Sequence, residues 1–317
     1  MICGATGFIG TNLVHDFAKT GKYKVIGVCH HTTPESRRLE RLDVEWVKAD
    51  LTHAEDVNRV LKGADIVIQA AATTSGSKDI VEKPYLHVTD NAVMNSHILR
   101  ACQDEGVKHL IFFSCTVMYP SSSTPVKESG FTGEVTDKYF GVGWTKVYIE
   151  RMCEFYARLG QTRFTVIRHT NIYGPHDKFD LVKSHVFGAT VAKVMQAQDP
   201  KIIVWGDGSE KRDLLYVDDL MDFVHKAIVH QSTPYELVNV GSGQAISIKD
   251  LVQSIIDASN KKLFIEFDTS KPTIPFELSV NIDHARKHFD WSPKTSLEER
   301  IRKSLEWYDS TYSARIT

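Results

Sequence analysis

Four short runs of β-branched and aromatic residues punctuate the first two-thirds of the chain: KVIGV (Lys24 to Val28), ADIVIQA (Ala64 to Ala70), HLIFFS (His109 to Ser114) and FTVIR (Phe164 to Arg168). Each has strand length, and helix-like segments lie between them. Parallel strands need crossover connections that cover the sheet, so this alternation predicts a parallel sheet with helices on both faces. Beyond about residue 170 the pattern loosens. GPHDKFD and VWGDGSEKRD read as long loops, whereas IKDLVQSIIDAS and SLEERIRKSLEWY read as helices. No repeat or low-complexity linker separates the halves, so the second is expected to interleave with the first. The fold class that follows is α/β, a doubly wound parallel sheet (Rossmann) of about six or seven strands. Residues 1–170 would form its body, with later segments returning to it, and residues 171–317 mainly a smaller C-terminal lobe over the cleft.

Composition narrows the class without naming it. A chain of 317 residues with 42% hydrophobic content can bury a substantial core. Lys plus Arg is 38 and Asp plus Glu is 40, with no long like-charge run, so neither a nucleic-acid footprint nor a membrane-surface patch is expected. Five scattered cysteines, Cys3, Cys29, Cys102, Cys115 and Cys153, lack metal-ligand spacing and fit a reducing compartment better than a disulfide framework. No metal site is expected. No apolar run approaches a membrane span, and a glycine motif stands where a signal peptide would begin, so the protein reads as cytoplasmic.

That motif is GATGFIG, with Gly4, Gly7 and Gly10 at GxxGxxG spacing. Glycines there let a strand turn tightly into a helix and let phosphate oxygens approach free N–H groups at the helix N-terminus, including those of Phe8 and Ile9. Placed before a helix pattern at the start of a βα series, the motif points to a dinucleotide. Only Met1 to Cys3 precede it, which implies a stunted first strand or an earlier start of the chain. At the tip of the second strand a carboxylate would accept from the ribose hydroxyls of NAD. VIGVCHHTTPESRR offers Cys29, His30 and His31, then Arg37 and Arg38, and no acid at the tip. A 2′-phosphate fits against such bases, so NADP(H) is favoured, with NAD(H) the alternative. Asp50 and Leu51 are suitably placed for adenine. The run Ala70, Ala71 and Ala72 suits the stretch from pyrophosphate to nicotinamide.

Taken together, GATGFIG, ADL, the AAA run, Asn91, FFSCTVMYP, Lys146, Arg168 with NIYGP, and LLYVDDL resemble the extended short-chain dehydrogenase/reductases of the nucleotide-sugar epimerase and dehydratase family, over essentially the whole chain. Within it, YGPHDKFDLVKSHV and IIVWGDGSEKRDLLYVDD are similar to substrate-side motifs of the GDP-L-fucose synthase type. Enzymes of that type epimerise a GDP-4-keto-6-deoxy sugar at C3 and C5 and then reduce C4 with NADPH. The resemblance implies a nucleotide sugar as partner, a GDP-sugar above all, and a homodimer. It implies that Asn171, Trp205 and Arg212 lie along the substrate; an indole face stacks on a base and a guanidinium pairs with diphosphate. Lys271 would add a second positive contact. By ungapped count Glu277 stands where the family has an arginine, and a carboxylate beside a diphosphate is repulsive.

The family's catalytic tyrosine is missing. In YFGVGWTKVY, Lys146 is present to hold the nicotinamide ribose, but the position one helical turn earlier is Val142. Tyr139 lies seven residues before Lys146, roughly 10 Å along an unbroken helix. Only a break at Gly141 and Gly143 would bring its phenol back. In FFSCTVMYP the family's serine or threonine is Cys115 and its epimerase cysteine is Val117, two positions expected on one strand face. His185, in KSHV, matches the epimerase acid/base histidine. The proton relay is therefore expected to have moved to Cys115, Thr116, His185, a refolded Tyr139 or water. The alternative is a catalytically weakened GDP-sugar and NADP binder with a regulatory or assembly role, or a dinucleotide sensor.

Overall fold

The computed structural model describes residues 1–73, 83–181, 184–271 and 276–312. Of the motif residues quoted above, Val182 and Lys183 lie outside them. Seven strands form one wholly parallel sheet: β1 (Ile2–Cys3), β2 (Ile26–Cys29), β3 (Glu45–Lys48), β4 (Ile66–Gln69), β5 (His109–Phe113), β6 (Arg163–His169) and β10 (Tyr235–Val240). Their order, β10-β6-β5-β4-β1-β2-β3, is that of a doubly wound sheet. The winding reverses between β1 and β4, where such sheets open a crevice at the strands' carboxyl ends.

Side-chain alternation explains why both faces are covered. Ile111 and Phe113 of β5 join the cluster containing Leu13, Phe17, Phe223 and Phe289, while Leu110 and Phe112 join the opposite cluster of Val57, Ile98, Leu99 and Ile149. The first face is packed by α1 (Phe8–Thr20) and the helices Val217–His230 and Asp283–Phe289. The second is packed by α2 (Ala54–Leu61), α3 (Thr89–Glu105) and α4 (Phe140–Ala157). The first strand is indeed short, at two residues, yet it pairs on both sides, Ile2 with Gly27 and Ile68.

A third cluster, with Phe187, Val191, Val204, Leu251, Ile255 and Ile301, forms the core of the C-terminal lobe. There β8 (Lys201–Trp205) pairs with β12 (Phe264–Asp268). The strand β9 (Lys211–Tyr216) is bordered by β7 (Asn171–Tyr173), β11 (Ala245–Ser247) and β13 (Glu277–Leu278). The stretch VWGDGSEKRD is thus not a long loop: Trp205 closes β8 and Lys211 opens β9, with a short turn between. Alternating burial along KIIVW is that of a half-exposed strand.

Candidate functional site

At the end of β1 the chain turns through Gly4, whose φ of +69° suits glycine. A Cβ on Gly4 would lie 2.6 Å from the Ala71 Cα, and one on Gly10 would lie 2.0 Å from the Gly4 carbonyl oxygen. The first contact keeps the alanine run directly over the turn. The second lets α1 start hard against the strand. Gly7 caps α1 without any side-chain hydrogen bond, so the first-turn N–H groups, those of Phe8 and Ile9 among them, are left for an anion. This cradle fits a dinucleotide's pyrophosphate. Ala70 is fixed by its N–H on the Cys3 carbonyl (3.2 Å) and Ala71 by its N–H on the Gln69 amide oxygen (3.1 Å). Ala72 follows, and Asn91 holds the next residue, accepting from the Thr73 N–H at 3.1 Å.

Toward the adenosine end, exposed His30 packs against the His31 ring at a tilt of 33°. Asp50, just beyond β3, accepts from the Thr52 N–H and hydroxyl; those bonds hold its carboxyl below the usual range. Its other oxygen lies 3.6 Å from His30 Nε2. The tip of β2 has no acid of its own, but an acid from the neighbouring strand end reaches it. Leu51 is buried beside Asp50.

The helix α4 runs without a break from Phe140, so Gly141 and Gly143 do not bend it. Tyr139 is its N-cap, two turns from Lys146, and the phenol does not return to the lysine. Lys146 is half-buried; its ammonium donates to the Phe113 carbonyl at 2.7 Å and lies 4.7 Å from the Phe112 ring centre. Burial lowers its pKa, opposed by Cys115 and Glu150. Val142, one turn earlier, offers no proton.

The expected strand face bearing Cys115 and Val117 does not form. The strand β5 ends at Phe113, and the chain bends into a turn closed by the Tyr119 N–H on the Thr116 carbonyl (3.1 Å). Cys115 is half-buried, and burial raises its thiol pKa against the pull of Lys146 and the Val117 N–H. Thr116 is buried. His185 caps the helix Val186–Gln196; though exposed at its surface, it sits against enough protein that desolvation lowers its pKa.

One group had no signal in the sequence. His169 ends β6, half-buried, within electrostatic reach of Lys146 and His185. Its Nδ1 lies 2.8 Å from the Thr170 carbonyl, which can only accept, so Nδ1 carries the proton and Nε2 is an acceptor. Burial pushes its pKa down to about 4. At neutral pH this imidazole can take a proton but has none to spare at Nε2.

Next to these groups lies a small cavity lined by Thr116, Val117, Tyr139, Thr170, Asn171, Arg212, Asp213, Phe276 and Leu278. It gathers Thr116, Tyr139, Asn171 and Arg212 from four separate parts of the chain. The Asn171 amide donates to the Asp213 carbonyl at 3.2 Å. Trp205 stands exposed at the end of β8, as a base-stacking indole must. Lys271 sits on an exposed turn after β12, beside Asp268, and does not line this cavity. Glu277, expected as an uncompensated carboxylate, is paired with Lys211 at 3.0 Å. Adjacent strands β9 and β13 bring the two together, a contact no local sequence window reveals.

The model of the NAD dependent epimerase/dehydratase family matches residues 1–241. The chain belongs to that family. Its relatives include the GDP-L-fucose synthase of Sinorhizobium fredii, 33% identical over 98% of this chain and 95% of the relative. The GDP-L-colitose synthase of Yersinia pseudotuberculosis is 26% identical over 97% of each. The fold is shared with the UDP-glucose 4-epimerase of Thermotoga maritima, solved with UDP-glucose, at a TM-score of 0.87 and 22% identity over 98% of each chain. The protein is therefore an enzyme of the NAD(P)-dependent nucleotide-sugar epimerase and oxidoreductase type. Among the described residues, no helix is long and apolar enough to cross a membrane.

Proposed function

We propose that this enzyme is an NADP-dependent epimerase/reductase of the GDP-L-fucose synthase type, acting on a GDP-4-keto-6-deoxy sugar with an altered proton relay. The observation that carries the reading is the shared cleft: Lys146 stands beside Cys115, and the cavity next to them runs from Thr116 to Asn171 and Arg212. The dinucleotide supplies the hydride. Lys146 orients its ribose, Trp205 stacks the guanine and Arg212 holds the diphosphate. Cys115 and His185 stand nearest the roles of acid and base for exchange at C3 and C5. Thr116 and Asn171 orient the sugar hydroxyls. Because Val142 has no proton to give, C4 reduction draws its proton from water or from one of these neighbours, and runs slowly. His30 and the arginines Arg37 and Arg38 favour a 2′-phosphate. Five free cysteines suit a reducing cytoplasm.

A homodimer is part of the same reading. Exposed Phe140, Trp144, Tyr148 and Phe155 on α4, with Val93 on α3 and Tyr85 just before it, give adjacent helices an apolar outer surface that a second copy would cover.

The test is incubation with NADPH and a GDP-4-keto-6-deoxy sugar in deuterated water. Deuterium at C3 and C5 is expected, as is tighter binding of NADP than NAD and of GDP than UDP. Arg212→Ala should weaken GDP by about 1.5 to 3 kcal/mol, as for a charged hydrogen-bonding group. GDP and NADP binding without any exchange or reduction would instead favour a weakened, regulatory homologue, which the valine at 142 also suits.

A further inference from the structure

The strand β13 is laced to the segment that follows the turn at Thr116–Tyr119. The Ser122 N–H donates to the Glu277 carbonyl at 2.7 Å, the Glu277 N–H donates to the Ser121 hydroxyl at 3.0 Å, and the Val126 N–H donates to the Ser279 carbonyl at 2.9 Å. Successive side chains on an extended segment point to opposite sides. Glu277 turns toward Lys211, so its neighbours Phe276 and Leu278 turn the other way, and both line the cavity that Val117 also lines. Three apolar side chains from two distant parts of the chain thus meet at one cavity.

Polar groups on the same lining are turned back into the protein. The Thr170 hydroxyl donates to Asp213 Oδ1 at 3.2 Å, and the Asn171 amide donates to the Asp213 carbonyl at 3.2 Å. Arg212 Nη1 donates to the Phe276 carbonyl at 2.6 Å, and the guanidinium lies 5.3 Å from the Phe276 ring centre. Leu278 stands in register with Arg212 on the neighbouring strand. An anion held by Arg212 therefore brings whatever is attached to it against this apolar wall. A methyl group placed there gains by leaving water, whereas a hydroxyl loses its water without a partner on these three side chains.

We propose that Val117, Phe276 and Leu278 form a specificity wall that receives the C6 methyl of a 6-deoxy sugar and disfavours a sugar with a hydroxyl at C6. The proposal rests on the nucleotide-sugar reading above and assigns the residues that would choose among such sugars. It also gives Val117 a part to play. By the register of FFSCTVMYP this valine stands in the place of a thiol, so a group able to exchange protons has been traded for one that only packs. Leu278 is buried and fixed in the core, and Phe276 is held through its carbonyl by Arg212. Val117, half-buried on a turn, is the member of the wall that can be altered with least disturbance to the fold.

The test is calorimetric titration of the full-length chain, as wild type, Val117→Thr and Val117→Ala, with GDP, GDP-D-mannose and its 6-deoxy counterpart GDP-D-rhamnose, which differ from each other only in the C6 hydroxyl. The wild type should bind the 6-deoxy sugar about tenfold or more tightly than the 6-hydroxy sugar, within what an apolar pocket can achieve against an added hydroxyl. Val117→Thr, equal in size but carrying a hydroxyl, should narrow the preference to within about threefold, whereas Val117→Ala, still apolar, should keep most of it. GDP, which lacks the sugar, should bind all three proteins alike. Equal binding of the two sugars by the wild type overturns the wall, and so does a preference that Val117→Thr leaves unchanged. If GDP binds but neither sugar adds to or subtracts from its affinity, the wall falls and the nucleotide reading stands. If the wild type does not bind GDP, both fall.

Discussion

On the proposed reading, Val142 and Cys115 are the residues at which the chemistry departs from the family's pattern. Replacing a phenol by valine removes a proton donor without disturbing the helix, since α4 is continuous through Val142 and Lys146. The thiol at 115 is a different kind of change, because burial raises its pKa and only the Lys146 ammonium and a backbone N–H pull it back. At neutral pH it is a thiol, not a thiolate. Alkylation by iodoacetamide, followed by peptide mapping, should therefore be slow at pH 7 and quicken as the pH rises above about 8.5. Lys146→Met should slow it further; fast labelling at pH 7 would contradict this account. On the proposed reading, the losses at 142 and 117 follow from the sequence alone, because the surrounding motifs fix the register. The gains were not. His169 and the pairing of Glu277 with Lys211 depend on which strand ends converge, and no local spacing encodes that.

At the scale of elements, the sequence is clearest where one physical requirement dominates. GATGFIG is readable because Gly4 and Gly10 leave no room for a Cβ, and HLIFFS because all five residues of β5 are buried. The edge strand β3 is half-exposed and mixed in pattern, so EWVK gives no strand signal. The other edge, β10, is tied in partly by the helix Asp283–Phe289, where His284 Nε2 lies 2.7 Å from a Glu236 oxygen. That hydrogen bond raises the His284 pKa. Glu236 is pushed up by burial, but its bonds to His284 and Thr233 outweigh that and lower it. A histidine raised on folding stabilises fully below its unfolded pKa of about 6.5 and loses that contribution as pH rises through the folded value. A lowered carboxylate contributes above about pH 4.3 and fades in acid. The melting-temperature gap between wild type and His284→Gln should thus be widest between about pH 5 and 6.5 and shrink toward pH 8. A gap that widens toward pH 8 would mean the pair is not charged as described.

For the whole molecule, the wholly parallel doubly wound sheet was within reach of pattern alone, because strand and helix periods alternate up to β6, β3 excepted. The return of β10 was foreseen only as a general interleaving, since its partner β6 lies about 70 residues away in the chain. The apolar outer surface of α3 and α4 should hold a second copy in solution. Sedimentation should give a dimer, and Phe155→Glu, which places a charge on a side chain 53% exposed in the single chain, should shift it toward monomer without lowering NADP affinity. A monomeric wild type would remove that part of the reading. The central claim is that this is a fucose-synthase-type reductase whose phenol is gone. It is tested most directly by the initial rate of NADPH oxidation with a GDP-4-keto-6-deoxy sugar, measured for wild type, Val142→Tyr and Tyr139→Phe side by side. A positioned acid contributes roughly 10² to 10⁴ in rate, so Val142→Tyr should accelerate a slow wild type by at least about tenfold while Tyr139→Phe leaves the rate within about threefold. A brisk wild type that collapses in Tyr139→Phe, with no gain in Val142→Tyr, would show that the phenol was never lost.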